Sequence, residues 1–238
     1  MSAPLLRHSS IGTAETASEL SVVQNDRWLV ASFSSPVRAC SWAIEFGGLV
    51  TAEHVAWLEV REHELRPPVD AVEFLRGRLR ERGLARAIGL LTSRNVSTYR
   101  DVTCDGWGIR ARCIATVGLG NALRAGDPPG VLGRIGTINL LLHVDTPLTD
   151  VALLEASAIV TEAKAAAVLE AGISSRRSGR PATGTGTDCT VVSCPVPQAG
   201  GQRAIYAGKH TQVGSLIGDA AFQATSLGIA AWRLEQRS

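Results

Sequence analysis

Ile138-Asn139-Leu140-Leu141-Leu142-His143-Val144 is made almost wholly of leucine, isoleucine and valine. Such a run has no polar face to offer to water, so it reads as a strand buried on both sides. Downstream, Thr149 or Asp150 can cap a long helix that runs to Glu170, with Gly172 as its stop signal. Thr190–Cys194 and Arg203–Tyr206 read as further strands, and Thr211 to Arg233 as a closing helix rich in small residues. Upstream, Thr98–Cys104 and Trp107–Thr116 flank Asp105-Gly106, a dipeptide that favours a tight hairpin turn. Ala87–Thr92 is a short buried strand. Asp70 to Arg82 is a helix, its apolar positions 71, 72, 74, 75 and 79 forming one stripe. The basic run Arg76 to Arg86 alternates with Leu75, Leu79 and Leu84 at helical spacing, so it reads as the solvated face of an amphipathic helix rather than a binding patch.

Nearer the start, Arg27–Phe33 and Val37–Ile44 read as a hairpin-like pair around Ser34-Ser35-Pro36, and Gly47-Gly48 breaks the pattern. Residues 1–25 are polar, rich in serine and threonine and without apolar periodicity, so a flexible N-terminal segment is expected. Thr116 to Gly136 holds six glycines and two prolines and reads as loop. Interleaved strands and helices with sequential hairpins predict an α/β (α+β) fold, a mixed β-sheet with helices packed on it. With no internal repeat and no linker between cores, residues 26–238 form a single domain.

At 238 residues the chain can bury a full core. Hydrophobic content of 45% and charged content of 19% describe an ordinary soluble globular protein. A net charge of +2 gives no electrostatic case for nucleic acid. No apolar run approaches the ~18 residues that would span a membrane. The five cysteines are odd in number and lack C-x-x-C spacing; without a secretory signal they fit free thiols in a reducing, cytoplasmic setting. The histidines are scattered at 8, 54, 63, 143 and 210, so no metal site is expected.

Of 24 basic residues only Lys164 and Lys209 are lysine. Where position asks only for positive charge this chain uses arginine. The two lysines therefore mark places where a guanidinium is too wide, too planar or unable to lose a proton; the alternative is two ordinary surface lysines. Between them lies Thr183-Gly184-Thr185-Gly186-Thr187-Asp188, ahead of an apolar strand. Glycine lets the backbone approach a ligand and turn N–H groups inward, and threonine adds hydroxyls, so the loop suits a polarised carbonyl or an anion. It is neither a Walker loop nor a dinucleotide fingerprint. A solvated glycine-rich turn remains the plainer alternative. Asp188 can serve as a general base or can simply accept hydrogen bonds from its loop.

Glu162 sits on a helix made mostly of Ala, Leu, Val and Ile, and Lys164 lies roughly 200° away around its axis. Glu162 then needs Lys209 or a ligand as partner, unless its face is solvated. Asn121 and Asn139 stand at the edge of buried segments, where an amide must have its hydrogen bonds met, by ligand or by loop. No G-x-S-x-G elbow is present, and nothing in the spacing of Cys113 and His210 singles them out as nucleophile and base.

Five segments in order carry a resemblance. They are Thr116-Val-Gly-Leu-Gly-Asn-Ala122 with Gly126-Asp127, then Gly136-Thr-Ile-Asn139, then Thr161-Glu-Ala-Lys164. Ala182-Thr-Gly-Thr-Gly-Thr-Asp188 and Tyr206-Ala-Gly-Lys-His210, followed by Gly214, complete the set. Across roughly residues 30 to 230 the chain resembles the adenosylcobinamide amidohydrolase (CbiZ) family. Around Ser41 and Gly47-Gly48 the match is looser, the family pattern being richer in serine and glycine there.

The resemblance implies a hydrolase of corrinoid (vitamin B12) salvage. It would cleave the amide of adenosylcobinamide to adenosylcobyric acid and 1-aminopropan-2-ol. The corrinoid is then a small-molecule substrate, with no cofactor, nucleic acid or membrane partner, and the protein could form a homo-oligomer. Amide hydrolysis needs an activated nucleophile, oxyanion donors and an acid for the leaving amine. On this reading the Thr183, Gly184, Thr185, Gly186 and Thr187 loop holds the oxyanion, and Glu162 or Asp188 activates water. Lys209 or His210 stabilises charge or protonates the amine, while Asn121, Asp127, Asn139 and Lys164 bind substrate. A loop threonine acting as nucleophile is the rival mechanism. The alternative from another class is a non-catalytic corrinoid-binding protein, although the D-x-H-x-x-G cobalt-ligating motif is missing. The five segments are expected to converge on one cleft.

Overall fold

Ile138–Val144 is a strand buried at every position. A computed structural model describes residues 20–130 and 135–236, with the backbone alone at Glu62. In chain order the elements are β1 (Leu20–Asn25), β2 (Trp28–Ser41), β3 (Gly48–Glu59), α1 (Ala71–Glu81) and β4 (Ile88–Thr92). There follow β5 (Arg100–Gly106), β6 (Ile109–Val117), β7 (Ala122–Leu123), β8 (Ile138–Val144) and α2 (Asp150–Glu170). The chain closes with β9 (Gly184–Thr185), β10 (Cys189–Pro195) and α3 (Gln212–Glu235). The main sheet runs β4-β3-β2-β10-β8-β6-β5, with β1 added beside β2, while β7 and β9 make a separate two-stranded piece. Pairs β3–β4 and β8–β10 are parallel and the rest antiparallel, so the sheet is mixed as expected.

Alternation along the strands divides the core. Leu140, Leu142 and Val144 of β8 and Val192 and Cys194 of β10 face α2 and α3 in one large cluster. Leu141 and Val191 face the other way, into a cluster that also takes Leu29, Trp57 and Leu90 from β2, β3 and β4 and Ile114 from β6. Strands from both halves of the sheet meet there, so the sheet curls around it. The side chain of Asn139 on β8 reaches across that curl to donate to Leu91 O on β4 at 2.8 Å. Each fully buried Leu, Ile or Val contributes about 1.5–3 kcal/mol by leaving water, which is what holds the curl shut.

Several expectations change. Trp28–Ser41 is one strand, not a hairpin. Its register against β3 shifts between Ser32 and Val37, so Ser34-Ser35-Pro36 forms a bulge, a place a strand tolerates proline. The bulge divides β2 by partner: the first half pairs with β1, the second with β10. Leu20–Asn25, expected to be flexible, is β1; the rest of that segment, residues 1–19, lies outside the described residues. The β5–β6 turn is Trp107-Gly108 rather than Asp105-Gly106, with φ of 53° and 76°, the pair of positive values a type I′ hairpin needs. Residues 203–206 are not a strand. Ala204 makes a single bridge, donating to Pro147 O and accepting from Thr149 N ahead of α2. Strand β3 has no counterpart in the sequence reading. Among the described residues no helix is long and apolar enough to cross a membrane.

Candidate active site

Helix α2 buries Leu153, Ala156, Val160, Lys164 and Ala167, spaced three and four residues apart on one stripe. That stripe carries Lys164 inward and leaves Glu162 off it. Lys164 Nζ donates to Asp188 Oδ2 at 2.5 Å, and each side chain is 8% exposed. Asp188 stands where the loop enters β10. Its carboxylate also accepts from Thr185 N (3.0 Å) and Ile138 N (3.0 Å), and from Thr185 Oγ1 at 2.5 Å. Four donors occupy both oxygens. A carboxylate so engaged holds the loop and the start of β8 together.

The three threonines of the loop divide their work. Thr183 Oγ1 accepts from Ala125 N, tying the loop to the segment after β7. Thr185 serves Asp188. Thr187 is exposed, donates to Gly136 O at 3.2 Å and accepts, through its carbonyl, from Thr137 Oγ1 at 2.8 Å. Gly184 is required by close approach, since a Cβ there would fall on the Asp188 carboxylate and within 2.8 Å of Lys164 Nζ.

Loop, strand starts and sheet edge enclose a cavity of about 720 Å³. Asn121, Thr137, Asn139, Thr187 and Asp188 give it polar lining, with Gly186 beside them. Trp42, Ile44, Leu65, Leu91 and Ile135 give it apolar lining. Asn139 is buried, its Nδ2 engaged by Leu91 O and its Oδ1 accepting from Thr137 Oγ1 at 3.4 Å. Asn121 Oδ1 is buried with no hydrogen-bond partner among the described residues. Trp42, at the end of β2, donates through Nε1 to Asp188 O at 2.8 Å. Neither Trp42 nor Thr137 was singled out as a site residue from sequence. Thr137 lies inside a quoted segment, and Trp42 falls within the expected strand Val37–Ile44 with nothing to mark it.

Cys189 lines the same cavity, and its Sγ lies 3.8 Å from Ser41 Oγ. Burial pushes its thiol up to about 11, so at neutral pH it is not a thiolate nucleophile. Cys113 is fully buried within β6 and burial pushes it upward too, while His210 is exposed.

The remaining candidates lie elsewhere. Glu162 finds its partner in Lys209, but the ion pair is 54% and 70% exposed respectively. It borders a separate cleft of about 420 Å³ between α2 and α3, with Ile159, Gly214 and Phe222. The Tyr206–His210 segment is fixed to α2 by Ala207 N donating to Glu155 Oε2 at 2.6 Å. Gly214 leaves room for the Ala207 and Gly208 carbonyls that press on the first turn of α3. Asp127 holds a turn: Ser175 Oγ and Arg124 N donate to it, and hydrogen bonds, that from Ser175 foremost, keep its carboxyl below the usual range. The expected single cleft is thus divided. Segments 118–121, 136–139 and 183–188 meet at the large cavity, Lys164 braces it from behind, and Glu162 with Lys209 faces another.

The sequence profile of the adenosylcobinamide amidohydrolase family matches residues 13–237. An adenosylcobinamide amidohydrolase of Methanosarcina mazei is 29% identical over 190 residues, 77% of this chain and 86% of that protein. An uncharacterized protein of Methanocaldococcus jannaschii is 40% identical over 88 residues, 37% of this chain, and the match spans only 33% of that relative's length. Among solved structures, an l-aminopeptidase d-ala-esterase/amidase from Ochrobactrum anthropi overlaps 89% of this chain and 83% of its own, at 11% identity and a TM-score of 0.43. A Burkholderia beta-aminopeptidase overlaps 86% and 78%, at 14% identity and a TM-score of 0.40. Overlaps this loose carry over no residue and no activity.

Proposed function

The chain belongs to the adenosylcobinamide amidohydrolase family, and from that premise we propose that it hydrolyses adenosylcobinamide to adenosylcobyric acid and 1-aminopropan-2-ol without ATP. Water adds to the carbonyl carbon of the propionyl side chain, the C–N bond breaks, and the nitrogen departs as the amine with the proton released by water. The observation that carries this reading is the cavity of about 720 Å³, lined both by polar Asn121, Thr137 and Thr187 and by apolar Trp42, Ile44 and Ile135. Ligand sites of ~300–1,000 Å³ with a few convergent polar groups are the usual form. A corrin ring with its adenosyl ligand is larger than that, so the cavity takes the scissile side chain and one edge of the ring.

Within this reading Lys164 and Asp188 are positioning residues, and Thr187 is the loop hydroxyl that turns its proton from Gly136 O to the substrate carbonyl. Asn121 Oδ1, unpartnered among the described residues, supports a role in accepting the scissile N–H. A buried acceptor left unpaired costs about 1–3 kcal/mol, which a substrate N–H relieves. The protein works on a small molecule in the cytoplasm and needs no cofactor of its own.

Incubation of purified protein with adenosylcobinamide, without ATP, followed by mass spectrometry tests it. Adenosylcobyric acid and 1-aminopropan-2-ol should accumulate in equal amounts. Binding with no product after long incubation would leave a corrinoid-binding protein instead, and a strict ATP requirement would overturn the hydrolytic reaction.

A further inference from the structure

We propose that Trp42 is the platform on which the flat face of the substrate's macrocycle rests, fixing the ring at the mouth of the cavity while the amide side chain descends past it. This rests on the reaction proposed above. Trp42 is 49% exposed, and Ile44 (46%) and Ile135 (51%) stand exposed along the same cavity. A single exposed apolar side chain is ordinary in a folded protein, but three bordering one cavity form a patch with a use.

The indole is already oriented. Its one polar atom, Nε1, is spent on the carbonyl of Asp188, and Trp42 follows directly on the last residue of β2. What remains on offer is apolar ring surface, held before ligand arrives, so that binding sacrifices little side-chain freedom. One face of the macrocycle carries the adenosyl ligand; the other offers conjugated ring surface within a rim of amides. That other face suits Trp42, Ile44 and Ile135, and the amide-bearing edge suits Asn121, Thr137 and Thr187 of the same cavity. The hydrogen bond joins the platform to the residue that receives Lys164, so ring position and loop position share one anchor.

A rival role for Trp42 is to brace Asp188 through that hydrogen bond alone. Two variants separate the roles in steady-state kinetics with adenosylcobinamide. Trp42→Phe keeps an aromatic face and loses the donor; Trp42→Gln keeps a donor and loses the face. The platform predicts a KM within about threefold of wild type for Trp42→Phe. For Trp42→Gln it predicts a KM raised about tenfold with kcat nearly unchanged, the scale expected when an aromatic contact is lost. Bound adenosylcobinamide should also quench wild-type tryptophan emission, and most of that quenching should vanish in Trp42→Phe, a readout that stands even if Trp42→Gln folds poorly. A wild-type KM in Trp42→Gln, or a fall in kcat confined to Trp42→Phe, overturns the platform while leaving the reaction intact. If the wild-type protein neither binds nor cleaves adenosylcobinamide, the reaction itself falls and the platform with it.

Discussion

Lys164 on α2 and Asp188 at the head of β10 meet at 2.5 Å with both side chains almost wholly removed from solvent, the one ion pair among the described residues in which neither partner is more than 8% exposed. Removing the lysine leaves a buried carboxylate whose remaining donors are Thr185 and the Ile138 N–H. Breaking a buried pair from one side typically costs about 3–5 kcal/mol. Lys164→Ala should therefore melt about 10 °C below wild type in a chain of this size. Lys164→Arg should also destabilise, since the pocket against Gly184 has no space for a planar guanidinium. Differential scanning calorimetry checks both, and a Lys164→Ala protein melting at the wild-type temperature would remove this pair from the argument.

Thr187 and Thr185 are neighbours in a repeat, yet they should fail differently. Thr187→Val removes a hydroxyl that lines the cavity, so turnover should fall about 100-fold, the scale at which a single catalytic-site polar group acts. Its melting temperature should fall little, because the side chain is exposed and gives up only the 3.2 Å hydrogen bond to Gly136 O. Thr185→Val removes a donor to Asp188 inside the braced loop, so it should lose about 1–2 kcal/mol of stability first and activity only as a consequence. Parallel kinetics and urea melts of the two variants would show the difference.

His143 gives the fold an acid limit. Burial, and secondarily the Arg112 charge, hold its imidazole down at about 4 against an ordinary 6.5; its Nδ1 pairs with Ser193 Oγ at 3.0 Å and Phe33 packs against the ring. Between those two values the unfolded chain binds a proton that the folded one refuses. The stability tied to neutral His143 is thus complete above pH 6.5 and drains away as pH falls toward 4. At pH 4.5 the loss should be about 2–3 kcal/mol relative to pH 7. His143→Gln should be less stable at pH 7 and should show a shallower decline over that window, measurable as melting temperature against pH.

Ile138–Val144 and the helix after Thr149 were legible because each carries its signal locally: an unbroken apolar run, and a cap followed by a 3.6-residue stripe. The glycine–threonine loop and the singular lysines were legible as chemistry. Partnership was not. Ser34-Ser35-Pro36 has turn composition, and it is a bulge only because β1 and β10 share one edge of β2, a fact of pairing between distant segments. Trp107-Gly108 took the turn from Asp105-Gly106 because β6 sets its register against β8 as well as β5. The same holds at the site. Helical phase alone separates Glu162 from Lys164, yet only the curl of the sheet shows which of them stands behind the cavity and that Trp42 borders it.

Lys209 supplies the sharpest contrast with Lys164. A compact ammonium beside Glu162 could have been essential to chemistry, and on that view Lys209→Arg would abolish turnover. The pair is instead largely solvated at a cleft apart from the one that holds Asn121, Thr187 and Asp188. Exposed ion pairs contribute about 0–1 kcal/mol, and arginine can make the same contact with Glu162. Lys209→Arg should thus keep its melting temperature and at least half its kcat/KM, and Glu162→Gln should do the same. Lys164→Arg, equally conservative on paper, should lose far more of both. Kinetics on the three variants side by side would settle which lysine the chemistry depends on. Loss of turnover in Lys209→Arg, with stability intact, would bring the α2–α3 cleft into the reaction and move the catalytic centre away from Thr187.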